Sequence, residues 1–343
     1  MRIRILSYTK RGRDTAAKTA AALRAGGHSC CTFALPKFAC REDEILGIST
    51  AEWAAEGFRE DDALLFVCAA GIAVRAVAPC VRDKTEDPAV VVMDEAGRYV
   101  IPLLSGHLGG ANALAEEIAR STGGTAVLTT ATDVNGVFAV DVFAKKNRLR
   151  ISDRELAKAV SAALLAGEKV GFRSDVPVSG VLPDGLTEGE AELGIYIGRK
   201  PASLPFQRTL ILTPQRYTAG IGCKRGKSAK ELSAFLLGQL TAHGIGAEEL
   251  SAVSSIDLKK DEQGILELAS EIGVPFLTFT AEELAAVPGT FSGSAFVLSK
   301  TGVDSVCERA AVRAFGGRLI AGKAASDGMT CAIAVTEEEI SFG

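Results

Sequence analysis

The sequence predicts an α/β protein with more than one domain, and three observations lead to that prediction. At 343 residues the chain is long enough for two or three domains that each bury a core. Short apolar runs alternate with segments of helical spacing, which is typical of a parallel sheet covered by helices. Hydrophobic residues make up 47% of the chain and charged residues 23%, and this balance indicates a globular protein.

The first 137 residues are predicted to form a Rossmann-like or flavodoxin-like domain, because strands and helices alternate along them. Buried strands are indicated by ALLFVCA at 63–69 and AVVVMDE at 89–95, since continuous apolar runs mark the centre of a parallel sheet. The segment ANALAEEIARST at 111–122 has an apolar helical face, and Gly123 ends the helix. The other predicted elements here are strands at 2–7, 98–104 and 125–133, a helix at 14–27 and a short helix that begins at Gly71.

Two further domains are predicted after residue 137. Residues 138–207 form a small α+β middle domain, in which a helix at 154–166 precedes segments rich in proline, glycine and acidic residues. Residues 208–343 form a second compact α/β domain. Its predicted elements are helices that begin at two capping boxes (Ser228 with Glu231, Ser305 with Glu308), a helix at 261–273, and strands at 208–214, 216–223, 275–280 and 321–335.

The composition excludes several classes of protein. A formal net charge of −4 argues against broad nucleic-acid binding, which needs a basic surface. No apolar run approaches the roughly 20 residues that span a bilayer, and the first residues have the reverse order of a signal peptide. The eight cysteines include no C-x-x-C pair and none at metal-ligand spacing from a histidine. We therefore expect buried, reduced thiols, no metal site and a cytoplasmic protein.

The segment SGHLGGAN at 105–112 contains His107, one of three histidines, between two glycine-containing turns. The glycines allow the backbone to approach a ligand closely, and the N-terminus of the following helix favours an anion. A histidine in this place can act as a general base at neutral pH or donate to an oxyanion. The alternative is that His107 only caps the helix while Asn112 bonds to its own backbone. The residues alone leave both interpretations open.

Polar residues elsewhere in this domain suggest a cleft around the histidine. Doubly wound sheets bind ligands outside the carboxyl ends of their strands. The loops after the predicted strands at 63–69, 98–104 and 125–133 are therefore expected to open on one edge. The residues that would meet His107 there are Arg75, Arg82, Asp83, Lys84, Glu86, Asp87, Thr130, Thr132 and Asp133. The alternative for residues 82–87 is an ordinary solvated loop.

The sequence GKS at 226–228 lies between a predicted strand and a helix, as a P-loop would. The P-loop spacing requires a glycine where this chain has Ile221, so ATP or GTP binding is not favoured. Lys224, Arg225 and Lys227 beside free amides at a helix N-terminus instead predict a small anion site. A glycine turn before a capped helix is the simpler alternative. A regulator that binds a nucleotide at this loop is a rival function.

Two long segments resemble a known family. The first comprises GIAVRAVAP, DKTEDPAVVVMDEAGRYVIPLLSGHLGGANALAEEIA and TTATD, and it is similar to the N-terminal domain of the CbiG family. The second comprises GIGCKRGKS, SIDLKKDEQGILELASEIGVPF, TGVDSVCERAA and LIAGKAASDGMTCAIA, and it is similar to that family's C-terminal domain. Together they cover most of the chain, with a variable middle domain between them. The family comprises the cobalt-precorrin-5A hydrolases of anaerobic cobalamin biosynthesis.

The resemblance implies a defined reaction. The substrate is a ring-contracted cobalt corrinoid with a δ-lactone, which the enzyme opens with water. The extruded carbon and its methyl group leave as acetaldehyde, and the product is cobalt-precorrin-5B. No cofactor is implied, because the substrate carries the cobalt. The implied partner is this small molecule, without nucleic acid or membrane, and a homodimer or transient contact with neighbouring pathway enzymes stays open. A non-catalytic corrinoid-binding scaffold of the same pathway is the alternative.

This chemistry assigns hypothetical roles to individual residues. We expect His107 to be the base, Lys84 to assist electrostatically, Glu117 to orient or relay a proton, and the amides of Gly109 and Gly110 to hold the oxyanion. Because the substrate bears many carboxylates, local cations are needed, and the candidates are Arg75, Arg82, Lys84, Lys224, Arg225 and Lys260. The predicted substrate-binding residues are Gly71, Arg75, Ser105, Gly106, Gly109, Gly110, Asn112, Thr130, Thr132, Asp133, Gly222, Cys223, Lys224 and Arg225. We expect the macrocycle to lie in a cleft between the N- and C-terminal domains.

Overall fold

The structure, a computed structural model, describes residues 1–83, 86–107 and 109–342. Contacts within the chain divide it into two compact units, Met1–Val142 and Phe143–Gly343. Both units are α/β, as the sequence predicts. The division into three domains with boundaries at 138 and 208 stays a prediction.

The first unit consists of one sheet with helices on both faces. Its strands in the described residues are β1 (Arg2–Ser7), β2 (Ser29–Ala34), β3 (Glu44–Ile45), β4 (Ala63–Val67), β5 (Ala89–Met93), β6 (Tyr99–Leu104) and β7 (Thr125–Ala126). Its helices there are α1 (Lys10–Ala25), α2 (Thr50–Glu60), α3 (Ala70–Val77), α4 (Ala111–Thr122), α5 (Ala131–Val134) and α6 (Val140–Lys146), the last of which runs into the second unit. The strands lie in the order β3-β2-β1-β4-β5-β6-β7.

The direction of β6 decides where the loops of this sheet meet. Strands β1 to β5 run parallel to one another, whereas β6 runs antiparallel to β5 and β7 runs parallel to β6. Leu104 at the end of β6 therefore pairs with Val90 near the start of β5. The loop that follows β6 lies at the amino end of the parallel strands, and the loop that follows β4 lies at their carboxyl end.

Two apolar clusters cover the two faces of this sheet. Helices α1 and α4 pack on one face, where Leu23 and Ile118 are buried. Helices α2 and α3 pack on the other face, around the buried Trp53, whose ring makes edge contacts with Phe33 and Phe66. Because β4 and β5 are covered on both sides, their side chains are apolar along the whole strand.

Two elements of the first unit differ in extent from the prediction. The Thr9 hydroxyl accepts a hydrogen bond from the Gly12 amide, so α1 begins directly after Thr9, ahead of the predicted start. The strand predicted at 125–133 ends at Ala126, and the chain then forms α5. Helix α4 has the predicted bounds and is closed by Gly123, whose φ is 74°.

The second unit has two main sheets and a short strand pair within the described residues. Its strands are β8 (Leu149–Ile151), β9 (Val170–Ser174), β10 (Val178–Ser179), β11 (Leu186–Thr187), β12 (Leu193–Ile197), β13 (Arg208–Pro214), β14 (Tyr217–Cys223), β15 (Leu250–Ile256), β16 (Phe276–Phe279), β17 (Arg318–Ser326), β18 (Met329–Val335) and β19 (Ile340–Ser341). Its helices are α7 (Arg154–Leu165), α8 (Ala229–Ala242), α9 (Gln263–Ile272), α10 (Ala281–Ala285), α11 (Ala295–Thr301) and α12 (Val306–Phe315). The sheets have the orders β11-β9-β12-β13-β8 and β16-β15-β14-β18-β17, and β10 pairs with β19.

Two predicted strands of this unit lie differently in the structure. Strand β13, which the sequence analysis assigns to the last domain, pairs with β12 and β8 of the preceding sheet. The prediction of a single strand at 321–335 is wrong, because the segment belongs to a hairpin of β17 and β18. Asp327 and Gly328 turn the chain with φ values of 45° and 73°, and Asp-Gly favours such two-residue turns.

One of the two predicted capping boxes forms. Ser228 and Glu231 bond to each other's backbone amides at the start of α8. At the start of α12, the Glu308 carboxylate instead accepts hydrogen bonds from the Lys323 amide and the Ser305 hydroxyl. Burial raises the pKa of Glu308, but these hydrogen bonds outweigh burial and leave the pKa lowered. Glu308 therefore remains an ionised anchor between α12 and β17.

The composition predicts buried thiols and no membrane span. All eight cysteines are free, but the prediction that all are buried is wrong. Cys307 and Cys331 are buried in the second unit, whereas Cys40 is exposed and the others are half-buried, since they lie at strand edges and in loops. In the described part of the chain, every helix is too short or too polar to cross a bilayer.

Gly220 on β14 faces α12 at a distance that leaves no room for a side chain. A Cβ at this position would lie 1.8 Å from the carbonyl oxygen of Cys307. We expect Gly220→Ala to lower the free energy of unfolding by about 1–3 kcal/mol or more, as overpacking does, measured by urea titration. The control is Gly238→Ala on α8, where a Cβ meets nothing within 4 Å; it should raise stability by about 0.5–1 kcal/mol. Similar effects of the two substitutions would contradict the close packing.

Candidate functional site

The loop after β6 folds back onto the first turn of α4. Ser105 has a positive φ of 56°, and its hydroxyl donates to the Asp87 carbonyl at 2.8 Å. Because Asp87 precedes β5, this bond ties the loop to the amino end of the parallel strands. The carbonyls of Ser105 and Gly106 accept hydrogen bonds from the amides of Ala111 and Asn112, at 3.1 and 3.0 Å.

The glycines of this loop are required by its own packing. A Cβ on Gly109 would lie 2.2 Å from the Cβ of Ser105, and a Cβ on Gly106 would lie 2.6 Å from Oδ1 of Asn112. Gly110 has a φ of 89° at the start of α4, in the left-handed region that favours glycine. The glycine pattern therefore follows from the conformation of the loop, and a ligand is not needed to explain it.

The backbone of the loop also occupies the amides at the start of α4. The Gly110 amide donates to the His107 carbonyl at 3.1 Å, and the next two amides are bonded as described above. This conformation does not support the prediction that the Gly110 amide holds an oxyanion, because the amide already has an acceptor. Gly109 follows Leu108, which lies outside the described residues, and a role for its amide stays a prediction.

The side chain of His107 lies between two carboxylates. Its Nε2 is 2.9 Å from Oδ2 of Asp133 on α5, and its Nδ1 is 3.4 Å from Oδ2 of Asp141 on α6. The Thr132 hydroxyl oxygen is 3.3 Å from Nε2, and the histidine side chain is 14% exposed. Since ionised carboxylates only accept hydrogen bonds, both ring nitrogens carry protons and the ring is an imidazolium.

The two carboxylates raise the pKa of His107 to about 9. The hydrogen bond to Asp141 is the largest cause, burial acts in the opposite direction, and the hydrogen bond to Asp133 adds to the rise. Burial raises the pKa of Asp141, but its bond to His107 outweighs burial and the pKa is lowered. His107 is thus charged at neutral pH, which does not suit the predicted role of a general base.

Asn112 orients one of these carboxylates. Its Nδ2 donates to Oδ2 of Asp133 at 2.7 Å and to the Thr130 hydroxyl at 3.1 Å. The alternative in which Asn112 bonds only to its own backbone is therefore wrong. The structure brings together His107, Asn112, Thr130, Thr132 and Asp133, all of which are candidate residues from the sequence.

Asp141 is the member of this arrangement that the sequence pattern did not predict. It lies in the first turn of α6, where an acidic residue normally serves only the helix dipole. The one local signal is a second aspartate shortly after Asp133, and such a spacing is common. We call His107, Asn112, Thr132, Asp133 and Asp141 the His107 cluster.

Glu117 has its contacts elsewhere. Its carboxylate lies 3.1 Å from Nε2 of His28, and Nδ1 of His28 lies 3.3 Å from the amino group of Met1. A Cβ on Gly26 would lie 2.7 Å from Oε1 of Glu117, so the carboxylate packs against the end of α1. None of its described contacts reaches His107, and a proton relay through Glu117 gains no support.

Gly71 and Arg75 lie away from the His107 cluster. They belong to α3, which packs on the opposite face of the sheet from α4 and begins at the carboxyl end of β4. Arg75 donates to the Gly71 carbonyl at 2.9 Å. The prediction that the loops after β4 and β6 open on one edge is wrong, because β6 runs antiparallel to β5. The assignment of these two residues to substrate binding stays a prediction.

The loop at 82–87 borders the His107 loop. Asp87 is buried, accepts a hydrogen bond from the Arg82 amide at 3.0 Å, and accepts from Ser105 through its carbonyl. The side chain of Arg82 is exposed next to this anchor. Asp87, at the end of this segment, is therefore fixed to the His107 loop rather than only solvated. Lys84, the predicted electrostatic assistant, lies outside the described residues.

The loop at 222–228 in the second unit is filled by carboxylates of the chain. The Gly226 amide donates to Oε1 of Glu262 at 2.7 Å, and the Ser228 amide donates to Oε2 of Glu231 at 3.0 Å. The prediction of free amides is wrong at these two positions, because the carboxylates take the places that an anion would use. The same bonds disfavour nucleotide binding at this loop.

The cations of this loop differ in how far they are paired. Lys227 bonds to Glu231 and Asp327, whereas Arg225 approaches Asp261 only at 3.5 Å. Lys224 is exposed and forms no ion pair with any described residue. Lys224 and Arg225 are therefore the members of the predicted anion site that a ligand could reach.

Gly222 and Cys223 end strand β14 just before this loop. A Cβ on Gly222 would lie 2.6 Å from the Thr330 hydroxyl oxygen, so the glycine is needed for packing against β18. Burial raises the pKa of Cys223, which keeps the thiol protonated at neutral pH. Their place in substrate binding stays a prediction.

Three family models match the chain in consecutive segments. The Cobalamin synthesis G N-terminal model matches residues 52–133, the Cobalamin biosynthesis central region model matches 138–214, and the Cobalamin synthesis G C-terminus model matches 217–334. The chain belongs to the CbiG family. The resemblance found in the two sequence segments is thereby confirmed.

Two named relatives are similar to this chain over most of their length. The cobalt-precorrin-5A hydrolase of Salmonella typhimurium strain LT2 is 40% identical over 299 residues, which is 83% of this chain and 85% of the relative. The protein of the same name from Priestia megaterium is 31% identical over 274 residues, or 74% of this chain and 73% of the relative. A crystal structure of a cobalamin biosynthesis protein G homologue from Sulfolobus solfataricus is 24% identical, with a TM-score of 0.45 over 98% of this chain and 97% of that chain.

The His107 cluster draws on two of the CbiG segments. The N-terminal match contains His107, Asn112 and Asp133, and the central match contains Asp141. All of these residues lie in the first compact unit. The whole cluster therefore lies within a single compact unit of the chain.

The ion pairs of His107 make the stability of the protein depend on pH. Its pKa is about 9 in the folded chain against 6.5 for an unperturbed histidine. The contribution is fully present below pH 6.5 and is lost as the pH rises through about 9. This rise in pKa corresponds to at most about 3 kcal/mol. We expect His107→Gln to have a smaller loss of unfolding free energy over this range than the wild-type protein.

Urea titrations at pH values below 6.5 and above about 9 measure this difference. The control is His243→Gln, since His243 is exposed and bonds only to the Gln239 carbonyl among the described residues. It should keep the pH dependence of the wild-type protein. Parallel curves for the wild-type protein and His107→Gln would contradict the ion pairs.

Proposed function

We propose that this chain is a cobalt-precorrin-5A hydrolase, which opens the δ-lactone of its cobalt corrinoid substrate and releases acetaldehyde to give cobalt-precorrin-5B. The observation that carries the proposal is the 40% identity with the hydrolase from Salmonella over 83% of this chain and 85% of that one. The three family segments support it, since they match this chain in consecutive order over residues 52–133, 138–214 and 217–334.

The chemistry of the His107 cluster suits such a reaction. Hydrolysis of a lactone needs an acceptor for the proton of water, and two carboxylates beside an imidazolium supply acceptors of fixed orientation. The described residues contain no group of three His, Cys, Asp or Glu side chains arranged to hold a metal, and in this proposal the cobalt belongs to the substrate. The free thiols agree with the cytoplasm as the proposed compartment.

A non-catalytic corrinoid-binding scaffold of the same pathway is the alternative. It would need cations for the carboxylates of the corrinoid, but it would not need a histidine held between two carboxylates. The hydrogen bonds that hold His107 and Asn112 on Asp133 therefore favour the enzyme.

Incubation of the protein with cobalt-precorrin-5A, with detection of acetaldehyde, tests the proposed function. We expect release by the wild-type protein, and its loss in His107→Ala, because the cluster loses its central cation. Binding of the tetrapyrrole, followed by its absorbance, should be largely retained. His243→Ala is the matched control and should remain active, since His243 lies outside the cluster. Undiminished turnover by His107→Ala would remove this residue from the mechanism.

The exposed cations of the second unit are tested by the double variant Lys224→Ala, Arg225→Ala. We expect weaker corrinoid binding and a smaller effect of salt on the dissociation constant, because screening acts on ion pairs between exposed charges. The matched control is Lys200→Ala, Arg208→Ala, which removes two other exposed cations of the same unit. Equal affinity of the double variant and the wild-type protein would exclude the 222–228 loop from the binding site.

A further inference from the structure

We propose that Asp133 is the general base of the lactone hydrolysis, that His107 is a fixed cation beside it, and that Asp141 is a positioning residue for this cation. The inference rests on the proposed function and deepens it, because it assigns the base to a residue other than His107. It depends on the geometry of the His107 cluster.

The nitrogens of His107 are not available to a water molecule. Nε2 faces Oδ2 of Asp133 at 2.9 Å and Nδ1 faces Oδ2 of Asp141 at 3.4 Å. Each nitrogen presents a proton to an oxygen, so neither has a lone pair with which to accept a proton. The histidine also cannot donate to an oxyanion without breaking one of these contacts.

One carboxylate oxygen of Asp133 has no hydrogen-bond partner among the described residues. Its Oδ2 accepts hydrogen bonds from Nε2 of His107 and Nδ2 of Asn112, at 2.9 and 2.7 Å. Its Oδ1 accepts no hydrogen bond from any described residue, and the side chain is 29% exposed. Two donors thus fix Oδ2 of the carboxylate and leave Oδ1 without a partner among the described residues.

The step balances with a carboxylate as the base. Oδ1 of Asp133 takes a proton from water while the oxygen of that water forms a bond to the lactone carbonyl carbon. When the tetrahedral intermediate collapses, the bond between this carbon and the ring oxygen breaks, and the ring oxygen takes the proton from Asp133. The products of this step are a carboxylic acid and an alcohol, and Asp133 is again a carboxylate.

Asp141 keeps the histidine charged and in place. The charged groups that face His107 among the described residues are Asp133 from α5 and Asp141 from α6, while Thr132 adds a neutral contact. The two carboxylates and the imidazolium together carry a net charge of −1. Asp133 can therefore remain an ionised carboxylate, which is the form that accepts a proton. Without Asp141 the histidine would lose its second proton more readily, and a neutral ring could turn its single N–H away from Asp133.

The pH dependence of kcat/KM in the wild-type protein separates the two assignments of the base. With Asp133 as the base, acetaldehyde release should be level between about pH 6 and 8 and fall above about pH 9, where His107 loses its proton. With His107 as the base, activity would instead rise up to about pH 9, since only the neutral ring accepts a proton. Such a rise overturns the inference, and the measurement requires no variant to fold.

Two substitutions then separate the roles of the aspartates. We expect Asp133→Asn to lower kcat about 10²–10⁴-fold at every pH while the corrinoid still binds. Asp141→Asn should leave kcat at low pH within about tenfold and move the fall in activity to a lower pH by about one unit or more. If Asp141 had a purely structural role, Asp141→Asn would lower the stability of the protein without shifting the pH at which activity falls. The control Asp184→Asn, at an exposed carboxylate, should behave as the wild-type protein.

The outcomes also distinguish this inference from the proposed function. If the wild-type protein releases acetaldehyde and Asp133→Asn retains its kcat, only the assignment of the base is overturned. If the wild-type protein releases no acetaldehyde at any pH, both the proposed function and this inference fail.

Discussion

The reversed direction of strand β6 determines what the first unit can offer a substrate. Because β6 runs antiparallel to β5, the loop that follows it lies at the amino end of the parallel strands, where Ser105 reaches the Asp87 carbonyl. In dinucleotide-binding folds the corresponding loop lies at the carboxyl end and leaves its amides free for phosphate. Here the loop folds back on α4 and its own carbonyls take those amides. The polar groups that this loop leaves for a ligand are therefore side chains, above all those of the His107 cluster.

Local patterns predicted the elements well and their directions poorly. The bounds of α4 and the capping box at Ser228 could be predicted, because both depend on residues within one or two turns. The direction of β6 could not, since an apolar strand pattern reads the same in either orientation, and the expectation that the loops at Gly71 and His107 share one edge is therefore wrong. Within the site, His107 and Asn112 lie in one glycine-rich segment and could be found together. The charge of His107 could not, because it depends on Asp141, which only tertiary packing brings to the ring.

In the second unit, carboxylates of the chain itself already bind the loop at 222–228. This loop resembles an anion site in sequence, yet Glu262 and Glu231 already occupy the positions that an anion would fill. A highly carboxylated ligand would gain little from Lys227, which is neutralised twice. Lys224, which has no ion pair with a described residue, and the loosely paired Arg225 can bind such a ligand without breaking a strong ion pair.

The close packing of the SGHLGGAN segment limits what this motif can reveal about the activity of a homologue. A Cβ on Gly109 would clash with the backbone of Ser105 and a Cβ on Gly106 with the side chain of Asn112, so a chain that keeps this loop and Asn112 needs both glycines, whether or not it performs catalysis. A homologue that has lost its activity can therefore keep the SGHLGGAN motif intact and still look like an enzyme. The two aspartates beside His107 are different, since the turn itself does not require them. If the proposed roles of Asp133 and Asp141 hold, their joint presence is the better marker for separating active members of the family from inactive descendants.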